Sequence, residues 1–359
     1  MNITCFHLYN DYSGSPKVLR NVIEYLLTKE HKITIITSKT NGVLDDLSKG
    51  KDLNYDYFSY HTSKNKFIWI CYFIWAQLCL FCKALKYSNS QVFYINTIMP
   101  VGAAIAGRLL KKKVVYHYHE NAFIKSRFYR LLYRIMLILA DEIICVSKYQ
   151  RSFLPQSNNI SVVYNALPES FTSKLTPNIN RAFNKKNIIR VSSLVLYKSP
   201  IEFIKLAQNL SSYQFTLVLN DTQDSIDNFI KTYNLKIPSN IKIYPRQSDI
   251  SQFYNEASIL LNLSDRKKII ETFGMTALEG MSAGLPIIVP TVGGIAELVD
   301  NDINGYKIDV QQLDIIADKI TYMLSDIDIY SALAKGALTT ATLYSNKKMC
   351  DGIESILVG

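Results

Sequence analysis

Residues 264–297 read SDRKKIIETFGMTALEGMSAGLPIIVPTVGGIAE, and this stretch decides the fold of the chain. Just before it, residues 257–263 (ASILLNL) form a short apolar run of the kind found in buried strands. Residues 275–283 have helical composition up to a glycine and a proline, and residues 287–289 read as the next strand. This alternation of strand, loop and helix predicts a parallel α/β sheet, whose ligands bind at the carboxyl ends of its strands.

Two glutamates, Glu271 and Glu279, are separated by seven residues in this stretch. Glu271 precedes the predicted helix, and Glu279 lies roughly 9 Å along its axis from Phe273, at about 1.5 Å per residue. This separation favours contacts with two ends of one elongated ligand over joint action on one atom. Carboxylates accept hydrogen bonds from sugar and ribose hydroxyls, and the helix start favours a phosphate between them. Two solvated glutamates on an ordinary helix are disfavoured because the whole string occurs together.

The string resembles the signature of the retaining glycosyltransferases of family four, also called glycosyl transferases group 1, of the bacterial surface-polysaccharide type. The resemblance is strong over residues 264–308 and is weaker but collinear over most of the rest. It implies the GT-B fold, in which two facing Rossmann-like domains contain parallel sheets and the C-terminal helix crosses back to the first domain. The residues that carry it are Glu271, Phe273, Gly274, Glu279, Gly284, Pro286, Gly293, Gly294, Glu297, Asn304 and Gly305.

The resemblance implies a nucleotide-diphosphate sugar as donor substrate. By this resemblance Glu279 binds the ribose hydroxyls and Glu271 the hydroxyls of the donor sugar. Arg246 follows a predicted strand where the nucleotide base usually rests, and Gly14 lies in the turn after the first strand. The remaining donor-binding residues indicated are Phe273, Gly274, Met275 and Thr276.

One position departs from the family pattern. The family carries an arginine just past the strand at 188–192 and a lysine about five residues on, and both bind the diphosphate. Lys198 matches the lysine, but Ser193 stands where the arginine is expected. Without this arginine, the site lacks a side chain that could bind the phosphate through two hydrogen bonds. The preferred substitute is a run of three cations, with a solvated charge run as the alternative: Arg266, Lys267 and Lys268.

A histidine pair follows another predicted strand, at residues 113–117, which ends in the sequence HYHEN. His117 and His119 therefore lie at the carboxyl end of a strand, where ligands bind. In the family, a histidine in a His-acid step lies between the donor sugar and the acceptor. His119 matches that place and His117 fits less well by register; a hydrogen-bonded structural histidine is the alternative. The resemblance thus indicates His119, Glu271 and Lys198 as the catalytic group.

The length of 359 residues suits two domains. We expect a first domain over residues 1–170 with a C-terminal helix at about 343–359, a polar linker at 171–186 and a second domain over 187–342. The six cysteines show no paired Cys-x-x-Cys set with partner histidines, and Cys79 with Cys82 is only a weak metal signal, so they indicate a reducing, cytoplasmic setting. The N-terminus lacks the features of a signal peptide. We expect no metal and no cofactor.

The net charge of +10 belongs entirely to the first half of the chain. Residues 1–170 hold 21 Lys and Arg against 11 Asp and Glu (21 − 11 = +10), and residues 171–359 hold 19 of each (19 − 19 = 0). Such an excess indicates an anionic partner, either nucleic acid or the inner leaflet of a membrane. We favour the membrane, because no nucleic-acid motif appears and the basic residues interleave with large apolar ones.

Two segments of the first half bear on this partner. Residues 67–82 (FIWICYFIWAQLCLFC) are flanked by lysines but are shorter than the ~20 residues of a spanning helix. They fit a buried helix or a helix with one face in lipid better than a true span. Residues 123–139 alternate Lys and Arg with apolar residues, which is typical of a basic helix on a membrane surface; a solvated helical face is the alternative.

The sequence therefore predicts a retaining, metal-independent glycosyltransferase at the cytoplasmic face of the inner membrane. It would move a sugar from a UDP- or GDP-linked donor to a hydroxyl of a lipid-linked oligosaccharide in O-antigen, capsule or related polysaccharide assembly. The alternatives are a non-catalytic nucleotide-sugar-binding subunit, a nucleotide-sugar epimerase or a phosphorylase on the same fold, and a membrane-surface scaffold.

Overall fold

The computed structural model describes residues 1–45, 47 and 52–359 of the chain. They form two compact domains: Met1–Asn165 together with Lys347–Gly359, and Ala166–Asn346. Each domain is built on one parallel sheet, so the predicted α/β class with two Rossmann-like domains is confirmed.

The sheet of the first domain has seven parallel strands in the order β3-β2-β1-β4-β5-β6-β7. The strand order reverses between β1 and β4, which makes that junction the switch point where ligands of such sheets bind. The elements are β1 (Asn2–His7), α1 (Gly14–Thr28), β2 (Lys32–Ser38), β3 (Leu53–Phe58), α2 (Lys66–Leu85), β4 (Val92–Asn96), α3 (Val101–Leu109), β5 (Lys113–Tyr118), α4 (Ala122–Lys125), α5 (Arg127–Leu139), β6 (Glu142–Cys145), α6 (Lys148–Arg151) and β7 (Ile160–Val162).

The sheet of the second domain has six parallel strands in the order β10-β9-β8-β11-β12-β13, with its switch point between β8 and β11. Two short 3₁₀ helices, Leu196–Lys198 and Gly294–Leu298, follow β8 and β12. The elements are α7 (Glu169–Thr172), α8 (Ile179–Lys185), β8 (Asn187–Ser192), α9 (Pro200–Asn209), β9 (Gln214–Leu219), α10 (Gln223–Thr232), β10 (Ile241–Tyr244), α11 (Ser251–Asn255), β11 (Ile259–Leu261), α12 (Met275–Ser282), β12 (Ile287–Val289), β13 (Gly305–Lys307), α13 (Leu313–Met323) and α14 (Ile327–Thr342).

The segment 171–186, which the sequence suggests is a linker, is instead packed into the second domain. Asn178 caps α8 by accepting a hydrogen bond from the Arg181 amide at 2.9 Å, and Ala182 is buried. The Phe183 ring lies 5.6 Å from that of Tyr330. The Ser, Thr and Asn residues of segment 171–186 cap helices or lie on exposed faces, so polar composition alone does not distinguish this segment from a linker.

The last helix, α15 (Asn346–Val358), packs against the first domain, as predicted. Its buried face includes Cys350 and Ile353. Asp351 accepts a hydrogen bond from Tyr25, and Glu354 pairs with His31 at 3.0 Å. Apolar burial and these polar contacts together hold the helix on the domain that begins the chain.

The helix α2 is longer than the apolar run suggests. It has 20 residues, and in the part of the chain that the structure describes it is the helix long and apolar enough to cross a membrane. Its inner face packs on α3, where the Gly102 amide donates to Oε1 of Gln77 at 2.9 Å. Its outer face exposes large apolar side chains, so burial in the first domain accounts for only one face: Phe67, Ile68, Ile70, Ile74, Trp75 and Leu78.

The predicted basic helix over residues 123–139 is broken in two at Ser126. Ser126 has an extended backbone and caps α5 by accepting a hydrogen bond from the Tyr129 amide at 3.4 Å. Phe128 then packs on α2, with its ring 5.1 Å from that of Phe73. Away from its buried residues, α5 exposes Leu131 and Ile138 among arginines, so α2 and α5 both carry exposed apolar side chains.

Candidate functional site

The second domain brings Lys198 and Glu271 together at its switch point. Lys198 ends the 3₁₀ helix after β8, and Glu271 lies in the loop after β11, the strand hydrogen-bonded to β8 on the other side of the switch. The two loops are joined by the Asp265 amide, which donates to the carbonyl of Tyr197 at 2.8 Å. Residues far apart in sequence thus meet because of the strand order.

Lys198 and Glu271 form an ion pair through Nζ and Oε1. Ser264 donates its hydroxyl to the same Oε1 at 2.7 Å. Burial raises the pKa of Glu271, but the attraction of Lys198, the Ser264 hydrogen bond and the charge of Arg190 outweigh burial and leave the pKa below its usual value. The carboxylate is therefore ionised at neutral pH.

The glycine pair of the motif holds the backbone of Glu271. The Gly294 amide donates to the carbonyl oxygen of Glu271 at 2.8 Å. Gly293 has φ +116°, and a Cβ there would come within 2.6 Å of that oxygen. A side chain at 293 would push the two loops apart, so these glycines serve to position Glu271.

Gly274 allows α12 to begin beside Glu271. It has φ +106°, and a Cβ there would approach Cγ1 of Ile295 to 2.4 Å. Gly274 offers no side-chain cap, and the amides of Met275 and Thr276 have no acceptor within the helix. Such a helix start, with the positive end of its dipole, is suited to an anion.

Glu279 lies on α12 and is largely buried, with 9% of its surface exposed. Its Oε2 accepts a hydrogen bond from the Tyr254 hydroxyl at 2.5 Å. Burial and then the charge of Glu279 raise the pKa of Tyr254 well above its usual value, so the hydroxyl remains a donor. Tyr254 fixes one oxygen of Glu279.

The other residues named for donor binding occupy different environments. Phe273 is 2% exposed and its ring lies 5.8 Å from that of Tyr344, so its side chain belongs to the core. The Nε of Arg246 donates to Oδ1 of Asn220 at 2.7 Å, just past β10. Gly14 begins α1, where a Cβ would meet nothing within 4 Å.

Two of the three cations before Glu271 pair with other carboxylates. Nε of Arg266 pairs with Asp309 at 2.9 Å. Lys268 pairs with Asp265 at 3.4 Å and is 62% exposed, and Lys267 is exposed. In the described residues, the ion pair of Glu271 is with Lys198 and with none of these three. The second cation that acts on Glu271 is Arg190, which the sequence did not single out.

The first domain gathers histidines at its own switch point. His7 ends β1, Asn96 ends β4, and His117 and His119 lie at the end of β5. Nε2 of His119 donates to Oδ1 of Asn96 at 2.9 Å, because an amide oxygen only accepts. The Asn96 amide nitrogen donates in turn to Nδ1 of His7 at 3.0 Å and to the carbonyl of Ser15 at 3.2 Å.

These histidines are neutral at pH 7. Burial lowers the pKa of His7 to about 4 and that of His117 to about 3. Burial, together with the nearby rings of His117 and His7, holds the pKa of His119 well below its usual value. The rings of His117 and His119 lie 4.1 Å apart, and Nδ1 of His117 is hydrogen-bonded to the Tyr94 hydroxyl at 2.6 Å. His119 thus has a defined tautomer at the strand edge.

The residues that orient Glu271, Glu279 and His119 were not predicted from the sequence. Ser264, Tyr254 and Arg190 act on the two glutamates, and His7 and Asn96 act on His119. None has a motif spacing that could have revealed it, although His7 at the end of the first predicted strand was a usable signal. Across residues 1–45, 47 and 52–359, no group of three or more His, Cys, Asp or Glu side chains could hold a metal ion.

Two family models match the chain. The model described as Glycosyltransferase Family 4 covers residues 12–171, and that described as Glycosyl transferases group 1 covers residues 173–339. The two matches meet at residues 171–173, a few residues after the boundary between the domains, and between them include His119 and both glutamates.

Two relatives are similar over most of their length. An uncharacterised glycosyltransferase of Methanocaldococcus jannaschii is 24% identical over 269 residues, which are 71% of each protein. An uncharacterised 41.2 kDa protein in the cps region of Klebsiella pneumoniae is 25% identical over 274 residues, 69% of this chain and 72% of its own.

Solved structures share the fold over the full length. Anabaena HepE, solved with UDP and glucose, has a TM-score of 0.80 at 19% identity, with 100% of both chains covered. WaaG, a glycosyltransferase involved in lipopolysaccharide biosynthesis, has a TM-score of 0.72 at 16% identity, again with 100% of both chains covered. The likeness confirms the predicted two-domain architecture.

Proposed function

This chain belongs to the family 4, or group 1, glycosyltransferases, and we propose that it transfers a sugar with retention from a nucleotide-diphosphate donor to a hydroxyl of a lipid-linked glycan. The observation that carries the proposal is the arrangement around α12: the Lys198–Glu271 pair, the uncapped helix start and the buried Glu279. Anions fit the helix start, and hydroxyls fit the two carboxylates.

The chemical difficulty is the charge that develops on the leaving diphosphate. The bond between the anomeric carbon and the diphosphate oxygen breaks, and the acceptor oxygen forms its bond on the same face of the sugar. The acceptor proton passes to the leaving phosphate, so atoms and charge balance. The amides of Met275 and Thr276 and the Lys198 ammonium stabilise the diphosphate electrostatically. No metal is required in this scheme.

The two glutamates hold the non-reacting parts of the donor. Glu271, ionised and oriented by Gly294 and Ser264, accepts hydrogen bonds from the sugar hydroxyls. Glu279, with one oxygen fixed by Tyr254, accepts hydrogen bonds from the ribose. UDP as the nucleotide is supported by Anabaena HepE, a full-length structural neighbour solved with UDP and glucose.

His119 is the first-domain residue that we assign to the sugar and the acceptor. Its Nε2 proton is directed to Asn96, and its neutral form lets it orient hydroxyls without adding a charge. It acts as a positioning and hydrogen-bonding group and forms no covalent bond.

The exposed faces of α2 and α5 support a peripheral enzyme at the cytoplasmic face of the inner membrane, where a lipid-linked acceptor would be found. The outer surface of α2 exposes Ile74, Trp75 and Leu78, and α5 adds exposed arginines beside Ile138. Apolar side chains with cations at their margin favour an anionic bilayer surface. The Klebsiella relative of the cps region and WaaG support an acceptor in capsule or lipopolysaccharide assembly.

A panel of UDP-, GDP- and ADP-sugars tests the donor. Thermal shift reports binding, and release of nucleotide on adding a lipid-linked glycan reports transfer. We expect one nucleotide class to stabilise the protein, with turnover that is unchanged by EDTA and a product of retained anomeric configuration. Stabilisation by no nucleotide sugar would refute the proposal.

A non-catalytic nucleotide-sugar-binding subunit is the second candidate, because Ser193 stands where the family pattern has a phosphate-binding arginine. Glu271→Ala separates the two: a transferase loses turnover but still binds the nucleotide, whereas a binding subunit has no turnover to lose. Phosphate as acceptor would identify a phosphorylase, and interconversion of sugars without acceptor an epimerase.

A further inference from the structure

Arg190 is a fully buried arginine in the middle of β8. It lies opposite Leu217 of β9, and its side chain is 1% exposed. Its Nε and Nη1 make no hydrogen bond, and in the described parts of the chain no carboxylate forms an ion pair with it. Ser192, two residues on and therefore on the same face of the strand, also has a buried hydroxyl without a partner.

A buried guanidinium without a hydrogen-bonded carboxylate is costly, because burial removes its hydration and nothing replaces it. Native proteins satisfy nearly all such groups, so an exception calls for a reason. An apolar residue would fill this strand position at lower cost. The reason must therefore lie in the charge of Arg190 and in the groups on which that charge acts.

Arg190 interacts electrostatically with two carboxylates, those of Glu271 and Glu202. Burial lowers the pKa of Arg190 to about 9, while Glu271 and then Glu202 act to raise it, so the guanidinium is charged at neutral pH. Conversely, Arg190 is among the groups that hold the pKa of Glu271 down. Two cations therefore act on Glu271: Lys198 in direct contact, and Arg190 of β8 through its charge.

The two cations differ in their freedom to move. Lys198 ends a one-turn 3₁₀ helix on a long side chain and is 18% exposed, so it can turn to an anion that enters the site. Arg190 is fixed by the strand and by burial on every side. A diphosphate that recruits Lys198 would weaken its contact with Glu271, and Ser193 offers no charge in compensation.

We infer that Arg190 is a positioning residue, a fixed second cation that keeps Glu271 ionised and in place while Lys198 engages the diphosphate of the donor. The inference rests on the proposed function for the role of the donor. It also explains how the site operates with serine at position 193: Arg190 frees Lys198 for the phosphate without touching the phosphate itself.

The first test needs no turnover. Thermal unfolding is measured at pH 7 for the wild type, Arg190→Met, Glu271→Gln and the double variant, so that a double-mutant cycle gives the coupling of the two charges. We expect the change in Tm caused by Arg190→Met to be clearly less favourable in the wild-type background than beside Glu271→Gln, because only the first background leaves the Glu271 carboxylate without its second cation. Additive effects would overturn the link between Arg190 and Glu271, whatever reaction the protein catalyses.

The second test uses donor turnover of the folded variants from pH 5 to 8. In Arg190→Met we expect the ratio of kcat at pH 5.5 to kcat at pH 8 to fall at least tenfold, because Glu271 takes up a proton more readily. Arg190→Lys, which keeps a buried cation, should restore most of the wild-type profile. Ser192→Ala, on the same face of β8 but without charge, is the matched control.

An unchanged profile in Arg190→Met, or equal loss in Arg190→Lys and Arg190→Met at every pH, would overturn the inference. If Arg190→Met does not fold, Arg190→Lys is examined alone and in combination with Glu271→Gln by the same two measurements. Absence of turnover in the wild type with every nucleotide sugar would refute the proposed function and leave the unfolding cycle to decide on Arg190.

Discussion

The Nζ of Lys198 contacts Oε1 of Glu271, although the two residues lie 73 positions apart in the chain. They meet because β8 and β11 are neighbours at the point where the strand order of the second sheet reverses. Such a pair is suited to the proposed donor, which has phosphates at one end and hydroxyls at the other. When the donor binds, the cation can contact a phosphate and the carboxylate can accept hydrogen bonds from hydroxyls.

Replacement of Lys198 by Met should abolish most of the transfer activity. We expect kcat/KM for the donor to fall by about 10²–10³, the loss typical when one group that stabilises developing negative charge is removed. Steady-state kinetics with the correct nucleotide sugar measures this. Lys268→Met removes an exposed lysine that pairs with Asp265 and should leave kcat/KM within a factor of two or three. Equal losses in both variants would contradict the assignment.

The stability contributed by Glu271 should depend on pH with a defined sign. Its pKa in the folded protein lies below the usual value of 4.5, so its contribution is complete above that value and is lost as pH falls through the folded pKa. Urea unfolding should show the wild type more stable than Glu271→Gln at pH 7, with the gap closing below about pH 4.5. Glu256→Gln, at an exposed pair with Lys185, should show little gap at any pH.

The parallel sheets were predictable because many buried strands are short apolar runs, as β4, β11 and β12 show. The strand β3 was not predicted. It lies at the edge of the first sheet, pairs in the described residues with β2 alone, and carries Asn54 and Asp56. An edge strand exposes part of its surface, so its sequence lacks the apolar signal.

The motif glutamates were predictable, but their supporting residues were not. Ser264 and Lys198 reach Glu271 through strand order, and Tyr254 reaches Glu279 from another helix. Such partners depend on packing, which leaves no fixed spacing in the chain. The cation run at 266–268 stays a prediction for the diphosphate; in the described residues Arg266 pairs with Asp309 and Lys268 with Asp265.

Gly274→Ala should damage both folding and donor binding. A side chain at φ +106° costs about 1–3 kcal/mol, and its Cβ would overlap Ile295. We expect a lower urea midpoint and, in the folded fraction, a nucleotide Kd raised at least tenfold because the start of α12 shifts. Gly352→Ala is the control: it lies inside α15, where a Cβ would meet Val163 at an ordinary 3.5 Å, and it should stabilise slightly.

The buried histidines should make the first domain sensitive to acid. Burial lowers the pKa of His117 to about 3 and that of His7 to about 4. Below about pH 6.5 these histidines are therefore protonated in the unfolded chain but remain neutral in the folded domain. The free energy of unfolding should therefore fall as pH drops from 6.5 towards 4.

His117→Gln should flatten this dependence by about one proton in the slope of stability against pH. His61→Gln, which changes an exposed ring beside Tyr72, should leave the slope as in the wild type. A variant at position 117 that keeps the full slope would show that this histidine is already charged in the folded domain.

The two tryptophans of the chain both lie on α2, and they allow the membrane proposal to be tested at single residues. Trp75 is 59% exposed on the outer surface, whereas Trp69 packs between Phe73 and Phe128, with ring distances of 5.6 and 5.3 Å. Trp69→Phe leaves Trp75 as the sole emitter, and Trp75→Phe leaves Trp69.

On vesicles containing anionic phosphatidylglycerol, the emission of Trp75 should shift to the blue and become protected from an aqueous quencher, because its ring enters the interfacial region. Trp69 should change little, since the protein already shields it. One molar salt shortens the Debye length from about 10 Å at 0.1 M to about 3 Å and should weaken binding if the arginines of α5 contribute. We expect Leu78→Glu, on the same outer surface, to abolish binding to these vesicles. Binding with no change in Trp75 emission, and binding that survives Leu78→Glu, would place the membrane contact on another surface.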